Sequence, residues 1–180
     1  MTHLPSMIQA LLQPRAYPED VTAVELAETH ISYLLFTDRH VYKIRKPVNY
    51  GFLDFTTLEQ RRDDCHREVD LNRRLSPDVY LGVVEIRSHQ GQFAVEGPGE
   101  TVEYAVKMCR LPEDRLMAHL LPEGRVTTDD IKRLAEKIAR FHASVETSPR
   151  ITALGGVEAV RQAVEENFAQ TQRYVGECLS

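Results

Sequence analysis

A chain of 180 residues can fold around one core or two small lobes, and 42% hydrophobic against 27% charged residues is the balance of a folded protein, not a disordered one. A net charge of -5 with no basic stripe disfavours a nucleic-acid partner, and no apolar run approaches the ~20 residues of a bilayer span. The start, "MTHLPSMIQALLQP", lacks the basic and apolar regions of a secretory leader. Cys65, Cys109 and Cys178 are odd in number and far apart, which argues against a disulfide framework and fits a reducing cytoplasm. The seven histidines contain no i,i+4 pair, so a helical zinc motif is excluded and no metal site is expected.

The periodicity predicts a short amphipathic helix over Met7–Leu12, ended by the two prolines of "QPRAYPED". Strand-like runs follow at Val24–Ala27 and Tyr33–Phe36, then a tight "TDRH" turn and a third run, Val41–Arg45. Short connections make these an antiparallel meander. Pro47 ends the third run, because it cannot donate to a ladder. "TTLEQRRDDCHREVDLNRRLSP" is the first long helix, with Thr56 and Glu59 at capping-box spacing and Pro77 at its end. Three more strands are expected over Val79–Arg87, Gln92–Val95 and Glu103–Arg110, and a short helix in "LPEDRLMAHLLPEG". From Thr127 one helix carries Ile131, Leu134, Ile138, Phe141 and Val145 on a stripe, and a last one carries Val157, Val160, Val164, Phe168 and Val175. A β-rich first half and a helical last third give an α+β fold in two segregated parts. Nothing follows to cover the last stripe, so either that helix docks back on the preceding one or the chain is incomplete relative to its fold and the uncovered helix offers a dimer contact.

The third strand is unusual for its charge. "HVYKIRKPVNYGFLDF" places Lys43, Arg45 and Lys46 within four residues. Alternation puts Val41, Lys43 and Arg45 on one face and Tyr42 and Ile44 on the other. Either the first face is solvated, or Val41 marks it as partly buried and Lys43 points inward. On the following helix Cys65, Glu68, Leu71, Asn72 and Leu75 share a stripe, while Arg62, Asp63, Arg67, Asp70 and Arg74 point outward. Glu68 then either reaches back to water or is held inward by a cation, since a buried carboxylate needs one. The inward reading pairs it with Lys43, leaves Lys46 solvated, and sends Arg45 to solvent or to the mouth of a cleft.

Strand, loop, strand, turn, "VYKI" strand and a helix with an inward glutamate together resemble the amino-terminal lobe of the protein-kinase-like fold. "HISYLLFTDRHVYKIRKPVNYGFLDFTTLEQRR" is similar to the front end of bacterial members of the aminoglycoside phosphotransferase-like family, in which a P-loop ATPase or kinase-like domain often follows. The resemblance runs from Met7 to Phe141 and is strongest from His30 to Leu81. It implies an amino-terminal lobe over residues 1–111 and a partial second lobe over 112–180. In it Lys43 holds the α- and β-phosphates of ATP, Glu68 orients that lysine, and Val41 lines the adenine pocket. "AVKMCRLP" becomes the hinge, where Met108 to Arg110 offer backbone groups to adenine.

Two departures qualify it. The loop "ETHIS", with His30 and Ser32, has no Gly-x-Gly-x-x-Gly, and is either a phosphate cradle using its N–H groups and the Ser32 hydroxyl or a plain hairpin loop. No His-x-Asp with a following asparagine and no Asp-Phe-Gly occurs, so the acceptor-positioning and Mg²⁺-binding groups are expected outside this chain. The expectation is therefore the ATP-binding lobe of a cytoplasmic small-molecule phosphotransferase, using ATP and Mg²⁺, inactive as it stands and with an acceptor the sequence does not name. The alternative is a non-catalytic kinase-like domain for nucleotide sensing or protein contact.

Overall fold

The computed structural model describes residues 4–176, so Cys178 lies outside the described residues. The chain divides into two compact units, Met1–Leu134 and Ala135–Ser180. The first contains α1 (Ser6–Leu11), β1 (Glu25–Glu28), β2 (Ser32–Phe36), β3 (His40–Arg45), α2 (Leu58–Arg73), β4 (Tyr80–His89), β5 (Gln92–Val95), β6 (Glu100–Cys109), α3 (Met117–Leu120) and the start of α4 (Thr128–Ser144). The second holds the rest of α4 with α5 (Pro149–Leu154) and α6 (Val157–Thr171). The fold is α+β. The expected last helix ends earlier than its stripe, giving way to a 3-10 turn at Gln172–Tyr174. The α6 stripe of Val157, Val160, Val164 and Phe168 is exposed.

All six strands form one antiparallel sheet in the order β1-β2-β3-β6-β4-β5. The β2–β3 turn closes on Thr37, whose backbone N–H donates to the His40 carbonyl at 2.8 Å and whose hydroxyl accepts from the His40 N–H at 3.1 Å. The β5–β6 turn requires Gly99: at φ +103 a Cβ there would lie 2.0 Å from the Ser88 carbonyl oxygen. β3 is bordered by its sequence neighbour β2 and by the distant β6. That puts the charged strand at the middle of the sheet.

Both faces of the sheet are covered. On one, Leu35, Tyr42, Ile44, Val84, Ile86, Val95 and Ala105 meet Ile8 and Leu11 of α1 and Ala16 and Tyr17 of the turn after it. On the other, Cys65 and Val69 of α2 pack on Val106, with Tyr80, Val83, Tyr104 and Met108 around them. The cap of α2 sits one residue later than the sequence suggests. Thr57 is the N-cap, its hydroxyl accepts from the Gln60 N–H, and Gln60 accepts from the Thr57 N–H. Asp54 explains the shift, because its carboxylate already accepts both the Thr56 N–H and the Thr56 hydroxyl. The buried line of α2 is Arg61, Cys65 and Val69. Leu71 and Asn72, expected inward, are exposed: Val69 rather than Leu71 flanks Cys65 on the buried side, and Asn72 lies in the last turn of the helix.

Tyr42 is fully buried, so its hydroxyl needs a partner. It donates to Glu19 Oε1 at 2.7 Å; His40 Nδ1 lies 2.6 Å from the same oxygen, and Lys107 Nζ donates to Glu19 Oε2 at 3.1 Å. Burial alone would raise the Glu19 carboxyl, but the bonds from Tyr42, His40 and Lys107 outweigh it and hold it below its ordinary value of 4.5. A carboxyl depressed in the folded state binds fewer protons there than when unfolded, so its contribution is present above about pH 4.5 and lost as pH falls further. Glu19→Gln is expected to cost about 1–3 kcal/mol at pH 7. In urea unfolding series the gap between wild type and variant should close between pH 5 and pH 3; a gap independent of pH would refute this account.

Candidate functional site

The strand registers decide what shares a face with Lys43. Ser32, Leu34 and Phe36 of β2 lie opposite Arg45, Lys43 and Val41, and Ala27 of β1 lies opposite Leu34. On the other side Val106 and Met108 of β6 lie opposite Lys43 and Val41. One face therefore carries Arg45 and Ser32 at one end, Lys43 level with Ala27, Leu34 and Val106 in the middle, and Val41, Phe36 and Met108 with Glu25 at the other. α2 comes down on the end with Arg45.

Lys43 Nζ donates to Glu68 Oε1 at 2.9 Å, the pair that strand alternation and helix phase together predict. The lysine side chain is a quarter exposed and the glutamate 11% exposed. This places the ammonium at a rim, with one of its N–H donors on Glu68 and the others directed away from it.

Arg45 goes further inward than the sequence suggests. Its side chain is 7% exposed. Nε donates to Asp64 Oδ2 at 2.7 Å, Nη1 donates to Ser32 Oγ at 3.0 Å, and Nη2 donates to Glu68 Oε2. The guanidinium also lies over the Phe55 ring, 5.4 Å from its centroid. Phe55 is buried and its carbonyl accepts from Arg61 Nη1 at 2.8 Å, so the segment after Pro47 folds back over the arginine and is tied to α2. Arg61 in turn donates to Glu103 at 2.8 Å. The site is a two-cation, two-carboxylate cluster: Lys43, Arg45, Asp64 and Glu68. No sequence signal beyond Asp64 lying one turn before Glu68 marks Asp64 as part of it.

Lys46, expected in solvent, is instead bound. Its ammonium donates to Glu28 Oε1 at 2.7 Å and to the Thr29 carbonyl at 2.6 Å, 4.8 Å from the Tyr33 ring centroid. It leaves the Lys43 face because successive residues of a strand alternate, and so clamps the β1–β2 connection from its outer edge. Ser32 is fully buried, with its hydroxyl accepting from Arg45. In the same loop the Thr29 hydroxyl accepts from the Ile31 and Ser32 N–H groups at 3.4 and 3.0 Å. His30 is exposed at the tip, its carbonyl accepting from Tyr50. At the end of β6 the Cys109 N–H donates to the Val79 carbonyl and the Arg110 N–H to the Arg39 carbonyl, both at 2.8 Å. The Arg110 guanidinium binds the Thr37 carbonyl at 2.9 Å and Glu25 at 3.0 Å. These N–H groups, offered to adenine by the resemblance, are engaged within the sheet. Beyond them, a depression of about 200 Å³ is lined by Ala27, Phe36, Arg110 and Leu111 among others.

Among the described residues no group of three or more His, Cys, Asp or Glu side chains could hold a metal ion, and no helix is long and apolar enough to cross a membrane. No family model matches the chain, and no solved structure matches it. Uncharacterized proteins from two strains of Mycobacterium tuberculosis and from Mycobacterium bovis are each 30% identical to it over 161 residues. Those residues are 89% of this chain and 31% of each relative, so the chain spans about a third of the length of these mycobacterial proteins.

Cys65 lies beneath the cluster, fully buried. Burial pushes its thiol up to about 12, helped by the charges of Asp64, Glu68 and Glu103 and opposed by Arg45. It should be inert to a thiol reagent such as Ellman's at pH 8 in the native chain and react at the rate of unfolding. Rapid native labelling of Cys65, located by peptide mass spectrometry, would contradict the packing of α2 on Val106.

Proposed function

We propose that the sheet and α2 form the nucleotide-binding lobe of an ATP-dependent phosphotransferase that acts on a hydroxyl of a small-molecule acceptor. The observation that carries the reading is the Lys43–Glu68 pair at 2.9 Å on a central strand, with Leu34, Phe36, Val41 and Met108 on the same face of the sheet. A compact ammonium held still by a carboxylate is a good ligand for phosphate oxygens, and those apolar side chains fit a planar base. An exposed ion pair stabilises a protein by only ~0–1 kcal/mol, so stability alone is a poor reason to hold a lysine at this rim. The protein-kinase-like order of strands, with the lysine on the third and the glutamate on the helix after it, supports the same reading.

The residues fit ATP unevenly. Lys43 would hold the α- and β-phosphates, and Val41, Leu34, Phe36 and Met108 would bound the base. Adenine's hydrogen-bonding edge would turn to Leu111 and the residues after it, because the Cys109 and Arg110 N–H groups are already bonded. The β1–β2 loop would approach the phosphates with few N–H donors to spare, its Ile31 and Ser32 N–H groups being held by Thr29. ATP supplies the phosphoryl group and Mg²⁺ its charge neutralisation; the metal ligands and the acceptor-positioning carboxylate would come from outside these 180 residues.

The chain should bind a fluorescent ATP analogue and turn over no ATP above background. Lys43→Ala should weaken that binding about 10- to 100-fold, the loss of one charge-assisted contact, with Glu68→Gln weakening it less. Lys43→Ala should melt within a few degrees of wild type, and Glu68→Gln lower, because it also takes a carboxylate from the buried Arg45. Binding indifferent to Lys43 would sink the reading, and turnover abolished by Lys43→Ala would show that the catalytic groups lie within the chain.

A further inference from the structure

Glu68 is held on both oxygens, Oε1 by Lys43 and Oε2 by Arg45. The two cations are not equivalent. Lys43 is a flexible ammonium at a rim, a quarter exposed, whereas Arg45 is 7% exposed and its planar fork is fixed by Asp64, Ser32 and Glu68 at once. Without Lys43, Glu68 would keep a charge-bearing partner. Without Arg45, Asp64 and Glu68 would face a single ammonium, and the buried Ser32 hydroxyl would lose its donor.

We propose that Arg45 is a positioning residue that fixes Glu68, and through it Lys43, in the inward geometry before any ligand arrives, and that it locks α2 to the β1–β2 loop. The proposal rests on the nucleotide-site reading for its functional meaning. Its reach comes from what the guanidinium joins: Asp64 and Glu68 on α2, Ser32 at the end of the loop that starts at Thr29, and Phe55 in the segment between β3 and α2. Moving α2 off the sheet would break the Lys43–Glu68 pair. The same movement must also strip a buried guanidinium of two carboxylates. Lys43 is thereby preset by a helix that the buried arginine holds in place.

Amide hydrogen exchange on the 180-residue chain, followed by mass spectrometry, tests this without reference to nucleotide. Arg45→Lys keeps the charge and loses the fork. It should speed exchange about tenfold in residues 58–73 and 29–32, the effect of losing one buried charge-assisted bond, and leave the β4–β5 hairpin unchanged. Lys43→Met should leave 58–73 at the wild-type rate. In the functional arm, both variants should weaken binding of the ATP analogue TNP-ATP about tenfold, the first through position and the second through contact. The proposal is overturned if Lys43→Met loosens 58–73 as much as Arg45→Lys does, or if Arg45→Lys leaves that segment at the wild-type rate. Should Arg45→Lys fail to fold, Ser32→Ala and Asp64→Asn each remove one partner; unchanged exchange at 58–73 in both would overturn it equally. Absence of TNP-ATP binding by wild type would remove the nucleotide reading while the exchange rates still decide the role of Arg45.

Discussion

A guanidinium cannot be taken out of water without partners, and the burial of Arg45 sets the terms for everything around it. Its three donor groups need acceptors in one plane, and the fold supplies them from two elements: Ser32 from β2, and Asp64 and Glu68 from successive turns of α2. Meeting that demand ties the helix phase to the sheet and to the end of the β1–β2 loop, with Phe55 of the intervening segment lying over the charge. The hydrophobic contact beneath α2, Cys65 and Val69 on Val106, is small by comparison. A mostly polar helix is thus held as much by charge geometry as by apolar burial.

The central position of β3 lets one strand serve two cores. Tyr42 and Ile44 face the larger apolar cluster with α1, and Val41, Lys43 and Arg45 face α2. On the first face a polar knot of Glu19, His40, Tyr42 and Lys107 satisfies a buried tyrosine. On the second the polar groups sit beside the apolar contact of α2 with Val106 and Met108. On each face a carboxylate from outside the sheet is shared by side chains of β3, Glu19 by His40 and Tyr42 and Glu68 by Lys43 and Arg45.

The loop that a nucleotide would meet is stiffened by side chains where glycines would have made it supple. The Thr29 hydroxyl occupies two of its N–H groups, Lys46 ties its carbonyl from outside, and Arg45 anchors it through Ser32. A rigid loop and a clamped helix agree with each other. Both are held through Arg45, which joins the loop at Ser32 to α2 at Asp64 and Glu68.

The strands and α2 were legible because alternation in short runs and proline or glycine punctuation are local signals. The Lys43–Glu68 pair was legible too, since strand alternation and helix phase each leave one face to choose. Three details were not. The α2 cap moved from Thr56 to Thr57 because Asp54 claims Thr56, a competition between neighbours that spacing alone does not rank. Leu71 gave way to Val69 because the helix phase answers to Arg61, Asp64 and Glu68 as well as to apolar residues. Lys46 and Arg45, one residue apart, were each placed too far toward water. Sequence determines that they point to opposite faces, but only the tertiary structure brings Glu28, Thr29 and Asp64 to them, and a charge is buried or solvated according to the partners that arrive from elsewhere in the chain.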